Sequence, residues 1–205
     1  MASLGDCLVR EQDLRLLQPG QWLNDQILGF YFELCQENFP ASGLAFVGPE
    51  VTQLVRVAPE GDLEVCLEAL QLSSKAAVFL AVNNNPELER PGGSHWSLLV
   101  FVRAENSFFH LDSSGGMNCT EARQLKAKLE PLLASDAGST YQEVSVEQQS
   151  NGSDCGVHVI LHTDQLARQL VDGGWPAPLQ PLGQERLAGG RREVEQVIRG
   201  VSRRL

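Results

Sequence analysis

Apolar residues recur along this chain with two different periods, and the switches between them mark its elements. Cys7-Leu8-Val9-Arg10, followed by Leu14, Leu16 and Leu17, reads as a short strand and turn broken by Pro19-Gly20. From Trp22 the apolar positions Leu23, Ile27, Phe30, Tyr31 and Leu34 share one helical face. They predict a helix that ends near Asn38-Phe39-Pro40. Leu44 to Val47 suits a short strand, and Pro49 opens a helix from Glu50 to Val57. A further short helix is expected from Gly61 to Leu70. Ala76 to Val82 is a continuous apolar run of strand length, as in a strand buried on both faces.

Asn83 to Ser94 holds three consecutive Asn, two Pro and Gly92-Gly93, the composition of a mobile surface loop. Trp96 to Val102 and Ser107 to Leu111 read as two strands joined by a turn at Arg103 to Asn106. Cys119 to Leu133 reads as an amphipathic helix, Tyr141 to Val146 as a strand, and Asp154 to Leu170 as a helix. After a loop from Gly173 to Gly183 comes a last helix from Glu185 to Arg204. Helices early and late around a central group of strands, without repeats or a long linker, predict one α+β domain over residues 1–205.

Composition narrows the classes. The chain has 205 residues, 42% of them hydrophobic and 20% charged, which fits one globular domain. No apolar run is long enough to cross a bilayer, and no signal peptide is recognisable, so no membrane partner and a cytoplasmic or nuclear address are expected. The net charge of −10 argues against nucleic acid, because phosphate binding needs a basic footprint. The arginines at 186, 191, 192, 199, 203 and 204 read as the solvated face of the terminal helix. The five cysteines are odd in number and widely spaced, which argues for free thiols rather than a disulfide framework. None stands at CxxC spacing, and the one close His pair is His158 and His162, so neither a metal nor a cofactor is expected.

A thiol nucleophile needs a base, a group that orients the base, and donors for the developing oxyanion. Cys155 follows Asn151-Gly152-Ser153-Asp154, a turn and a helix cap, which places it in a first helical turn. There the unpaired N–H groups and the helix dipole favour a thiolate. Gly156 leaves room beside the sulfur for a substrate backbone. His95 stands at a loop–strand junction after Gly92-Gly93-Ser94 and is the candidate base, in competition with His110, His158 and His162. Asp112 ends the second strand of the expected hairpin. An antiparallel pairing brings the start of one strand beside the end of the other, so His95 and Asp112 become neighbours. Gln149 precedes the Cys in a polar loop and is the candidate oxyanion donor, beside the backbone N–H of Cys155. Each residue alone has a commoner structural role, as packing thiol, loop His, turn cap or solvated amide. Their combination is what points to a cysteine peptidase.

Trp22-Leu23-Asn24-Asp25, His95-Trp96-Ser97, Leu111-Asp112-Ser113 and Gln149 to Gly156 resemble, in order, the motifs of the ubiquitin-like protease family, the sentrin-specific proteases. Phe46 to Gln53, Val78 to Asn83 and Ser107 to His110 resemble its deneddylating branch most. The resemblance implies an adenain-like α+β fold of the papain-like clan, with a central mixed sheet flanked by helices. It implies cleavage after the Gly-Gly tail of the ubiquitin-like modifier Nedd, in maturation of the precursor and in removal from lysines, with cullins among the conjugates; a monomer is expected. It implies Cys155 as nucleophile, His95 as base, Asp112 as its partner and Gln149 as oxyanion donor. Trp22 and Trp96 match tryptophans over a narrow tunnel for the glycine tail, and Asp25 matches a carboxylate that meets a basic residue of that tail. An ideal strand would point consecutive His95 and Trp96 to opposite faces, so both serving one site requires a bend near Gly92-Gly93. Three other readings compete: a SUMO-directed protease of the same family, a catalytically silent module that binds a ubiquitin-like protein, and an acetyltransferase using a similar His–acid–Cys site.

Overall fold

A computed structural model describes residues 1–40, 43–59, 67–68, 70–88, 90, 92–173, 175 and 178–201. A five-stranded mixed sheet in the order β3-β4-β5-β6-β7 forms its centre. These strands are Leu44–Val47, Ala77–Asn83, Trp96–Val102, Ser107–Leu111 and Thr140–Val144. The outer pairs β3–β4 and β6–β7 are parallel, while β4–β5 and β5–β6 are antiparallel. Ahead of the sheet lie a small hairpin, β1 (Ala2–Leu4) and β2 (Cys7–Val9), and the short helix α1 (Glu11–Leu14).

The longer helices are α2 (Asp25–Asn38), α3 (Pro49–Val57), α4 (Cys119–Leu133), α5 (Cys155–Gly173) and α6 (Gln184–Val201). They divide between the two faces of the sheet. Phe79, Ala81, Leu98 and Val100 point to one face, where they share a core with Ile27 and Phe30 of α2 and Ile160 and Leu161 of α5. Val78, Leu80, Leu99 and Phe101 point to the other face, with Val55 of α3 and Leu125 and Leu129 of α4. This explains the uninterrupted apolar runs in β4 and β5, since period-two alternation disappears when both faces are covered. The expected α+β fold with a central mixed sheet is the one observed.

Some local expectations are corrected. The first long helix starts at Asp25, not Trp22: Asn24 is its cap, and its side chain accepts the Ile27 N–H at 3.2 Å. Trp22 and Leu23 precede it in extended chain. Only part of residues 6–17 is a strand, because Glu11 to Leu17 close into α1 and a 3-10 turn. The helix expected from Gly61 to Leu70 falls largely outside the described residues. Described residues of the loop after β4 make hydrogen bonds within it and to α3. The Asn84 side-chain oxygen accepts the Ser94 N–H at 2.7 Å, and Gln53 of α3 donates to the Asn85 carbonyl at 2.5 Å.

Candidate active site

The hairpin register pairs Leu98 with Leu111, which leaves His95 just before β5 and Asp112 just after β6. Gly93 supplies a bend just ahead of His95. It has φ +81°, and a Cβ there would lie 2.0 Å from the Asn83 side-chain oxygen, so glycine alone fits. With the turn made before β5 begins, His95 lies outside the strand, and consecutive His95 and Trp96 serve one site.

His95 Nε2 lies 2.7 Å from Asp112 Oδ1, with both side chains buried. The other face of the imidazole is within hydrogen-bond reach of Cys155. Asp112 is held by backbone as well: Oδ1 accepts the Ser114 N–H at 2.7 Å and Oδ2 the Asn118 N–H at 2.9 Å. Burial would raise its pKa, but the hydrogen bonds from His95, Asn118 and Ser114 outweigh that and hold the carboxyl below its usual range. Burial would likewise lower the pKa of His95, but the bonds and charges of Asp112 and Cys155 push it up to about 9. At neutral pH the pair is therefore imidazolium and carboxylate.

Cys155 is the first residue of α5, as expected, and 2% exposed. The turn before it is built on Asn151, whose side-chain oxygen accepts the N–H groups of Ser153 and Asp154 at 2.9 and 3.0 Å. Gly156 has a different role from the one expected. A Cβ there would come within 3.0 Å of Leu23 Cβ, so the missing side chain lets the segment carrying Trp22 close against α5. Gln149 is oriented from both ends, because Ser113 Oγ donates to its Oε1 at 2.9 Å and its Nε2 donates to the Asn151 carbonyl at 2.6 Å. One N–H of the amide remains for another acceptor.

Trp22, Asp25, His95, Trp96 and Cys155 line one cleft of about 570 Å³. Trp22 is half exposed, and its indole N–H donates to the Gly152 carbonyl at 2.6 Å. Trp96 donates to the Leu23 carbonyl at 2.9 Å. Each tryptophan thus leaves an apolar face to the cleft and ties its polar end to the segment opposite. Asp25, Glu50 and Glu87 make this cleft acidic, although Arg90 also lines it, 3.5 Å from Glu87.

The other candidate bases lie elsewhere. His110 bonds Glu143 and Ser97. His158 and His162 are buried on α5, and burial holds both below the usual range, His162 at about 3. They are neutral packing groups of the helix.

Two contributors carry no local signal in the sequence. Asn118 joins Asp112 through its N–H and the His95 carbonyl through its side chain, at 3.3 Å. Arg191 is not on a solvated face. Its side chain is 12% exposed. It donates to the carbonyls of Leu16, Gln18 and Gln21, which lead into Trp22, and to Ser153 O and Asp154 Oδ1, which lead into Cys155. A run of arginines in a helix gives no sign of such a clamp. Arg191→Met keeps the stem and removes the donors. It is expected to cost about 1.5–3 kcal/mol in thermal unfolding and to raise KM more than it lowers kcat. An unchanged melting temperature would show the clamp to be idle.

Comparison with known proteins supplies a context for this geometry. Residues 21–174 match the Ulp1 protease family, C-terminal catalytic domain. The chain is 37% identical over 201 residues to Sentrin-specific protease 8 of Rattus norvegicus, covering 96% of this chain and 92% of that one. It is 30% identical to NEDD8-specific protease 1 of Arabidopsis thaliana, over 84% of this chain and 77% of that protein. Among solved structures, the yeast Ulp1 protease domain in complex with Smt3, the yeast orthologue of SUMO, superposes with a TM-score of 0.70. It is 19% identical and covers 93% of this chain and 82% of that one.

Proposed function

The chain belongs to the Ulp1 protease family of cysteine peptidases acting on ubiquitin-like proteins, and we propose that it cleaves after the C-terminal Gly-Gly of NEDD8, both in the precursor and in conjugates to lysine. One observation carries the chemistry: His95 sits between a buried Asp112 and Cys155 at the wall of a cleft lined by Trp22 and Trp96. The modifier follows from the relatives, since both Sentrin-specific protease 8 and NEDD8-specific protease 1 match over most of the chain.

In this reading the Cys155 thiolate attacks the carbonyl carbon of the terminal Gly. The backbone N–H of Cys155 and the free N–H of Gln149 receive the oxyanion. The C–N bond breaks as His95 passes its proton to the departing amine, leaving a thioester on Cys155. Water then gives up a proton to His95 as it attacks the thioester, releasing the acid, which loses its proton to solvent, and restoring the thiolate–imidazolium pair. Asp112 keeps the ring in register throughout. Two indole faces across a narrow cleft suit a Gly-Gly tail, because any side chain there would meet a ring. The exposed Asp25 carboxylate on the cleft suits a basic residue of the tail. Cullins as conjugates, a monomeric enzyme and a cytoplasmic or nuclear address belong to the same proposal.

The test is a panel of tail-extended NEDD8, ubiquitin and SUMO under identical conditions. Processing of NEDD8 is expected to exceed the others by at least about 100-fold in kcat/KM, equivalent to ~2.7 kcal/mol of transition-state discrimination. Preferential processing of SUMO would overturn the choice of modifier and leave the chemistry standing.

A further inference from the structure

On the sheet face covered by α4, three side chains from three elements converge. His110 of β6 stands opposite Glu143 of β7 in register, and its Nδ1 lies 2.8 Å from Glu143 Oε2. Cys119 opens α4, and its Sγ joins these two atoms in a group no wider than 4.8 Å. We propose that His110, Cys119 and Glu143 form a binding site for a divalent transition metal of the zinc class, separate from the peptidase centre.

The donor set selects the metal. A thiolate, an imidazole and a carboxylate suit zinc-like ions, whereas magnesium and calcium prefer oxygen alone. Three protein ligands leave a fourth position for water. Zinc bond lengths of about 2.0–2.3 Å put tetrahedral ligand atoms about 3.3–3.6 Å apart. The present separations, 2.8 Å for the His–Glu pair and at most 4.8 Å for the group, lie on either side of that value. Side-chain rotations of ångström size close the site without moving the sheet.

The surroundings orient the ligands. His110 Nε2 lies 2.9 Å from Ser97 Oγ, which also receives the Asn118 amide at 3.1 Å. The serine hydroxyl can give or take a proton, so it supports the tautomer in which Nε2 carries the hydrogen and Nδ1 is free to ligate. The Tyr141 hydroxyl holds the second oxygen of Glu143. Glu143 is 39% exposed in its side chain while His110 is fully buried, so the site has an inner anchor and an outer entrance. Arg123, whose guanidinium lies over the Tyr141 ring, is the cation facing the group. Thiolate and carboxylate together carry twice its charge. Binding requires the Cys119 thiol and His110 Nδ1 to give up their protons. One passes to solvent, and the other is replaced at Nε2 by the tautomer change.

Occupancy would have a structural consequence. Cys119 directly follows Asn118, whose N–H donates to Asp112. A metal at Cys119 staples the start of α4 to β6 and β7, and so fixes the donor that holds Asp112. Spacing along the chain could not suggest the site, since its ligands stand at 110, 119 and 143.

Titration with Co²⁺ tests this in the Cys155→Ala chain, where the only other thiol in contact with a histidine among the described residues is removed. One equivalent is expected to produce a thiolate-to-cobalt charge-transfer band with tetrahedral visible bands, displaced by Zn²⁺. Cys119→Ser should abolish the charge-transfer band, and Glu143→Gln should weaken affinity at least about tenfold. In the Cys155→Ala chain Zn²⁺ should raise the melting temperature by several degrees, and adding Cys119→Ser should abolish that shift. Absence of the band, or a band that survives Cys119→Ser, would overturn the site. Melting in EDTA controls for folding. If the Cys119 variant does not fold, the half-exposed Glu143→Gln decides: undiminished affinity there would overturn the proposal equally.

Discussion

Cys155→Ala is expected to lower turnover of tail-extended NEDD8 by on the order of 10⁴-fold or more while leaving binding within a few-fold. The two halves have different causes. No other side chain among those lining the cleft can form a thioester: the remaining nucleophiles are the Ser94 hydroxyl, the His95 imidazole and the carboxylates of Asp25, Glu50 and Glu87. Loss of the sulfur therefore removes the covalent route rather than slowing it. Binding survives because Cys155 is only 2% exposed, so it contributes almost no surface to the substrate, while Trp22, Trp96 and Asp25 remain. Removing one buried heavy atom costs about 0.5–1.5 kcal/mol of stability, too little to unfold an average domain. Single-turnover kinetics on the precursor, with calorimetric titration of mature NEDD8, separate the effects. Turnover comparable to the parent would refute Cys155 as nucleophile. Lost binding with an intact fold would place the thiol in recognition instead.

The elements that position this cysteine were readable because they are local. The Asn151 turn and first-turn cysteine need only a few neighbouring residues, and Cys119 to Leu133 shows its helical period outright. The hairpin was readable for a related reason. Two apolar runs joined by a short polar turn leave one antiparallel pairing, and that pairing alone sets His95 beside Asp112. What could not be read are contacts whose partners are remote. Arg191 bonds carbonyls some 170 residues earlier. Asn118 looks like an ordinary residue before a helix, yet it meets Asp112, Ser97 and the His95 carbonyl. The apolar pattern runs on through Trp22 and Leu23, three residues ahead of the start of α2. Their burden is tertiary: Leu23 packs on Gly156 and Trp22 reaches Gly152. Hydrophobic period finds faces but does not distinguish a helix from an extended segment that packs on one.

Asp112→Asn is expected to lower kcat/KM by about 10²–10⁴-fold, the range seen when a triad acid is made neutral. The carboxylate accepts from His95 Nε2 at 2.7 Å, from Ser114 N at 2.7 Å and from Asn118 N at 2.9 Å. An amide has one oxygen for these donors. If that oxygen keeps the Asn118 N–H, the amide turns its own NH2 toward both Nε2 and the Ser114 N–H. The ring is then held neutral with its one proton on the nitrogen facing Cys155, and the imidazolium that pairs with the thiolate is lost. A second effect is on pH dependence. With Asp112 present, the His95 pKa stands at about 9, above the ordinary 6.5. The imidazolium that pairs with the thiolate thus persists to about pH 9, and kcat/KM should fall only above it. Removing the acid removes a hydrogen bond and a charge that raise this pKa, leaving only those of Cys155 against burial, so the alkaline limb moves down. Stability must move in the same direction. A histidine whose pKa is higher folded than unfolded contributes stability that is full below about pH 6.5 and lost as pH climbs through about 9. The parent should therefore lose stability between these values, and Asp112→Asn should lose less of it there. pH–rate profiles and thermal unfolding across pH 6–10 read both. A low kcat/KM with an unmoved alkaline limb would mean that Asp112 only props the loop, and that the charge on His95 is set elsewhere.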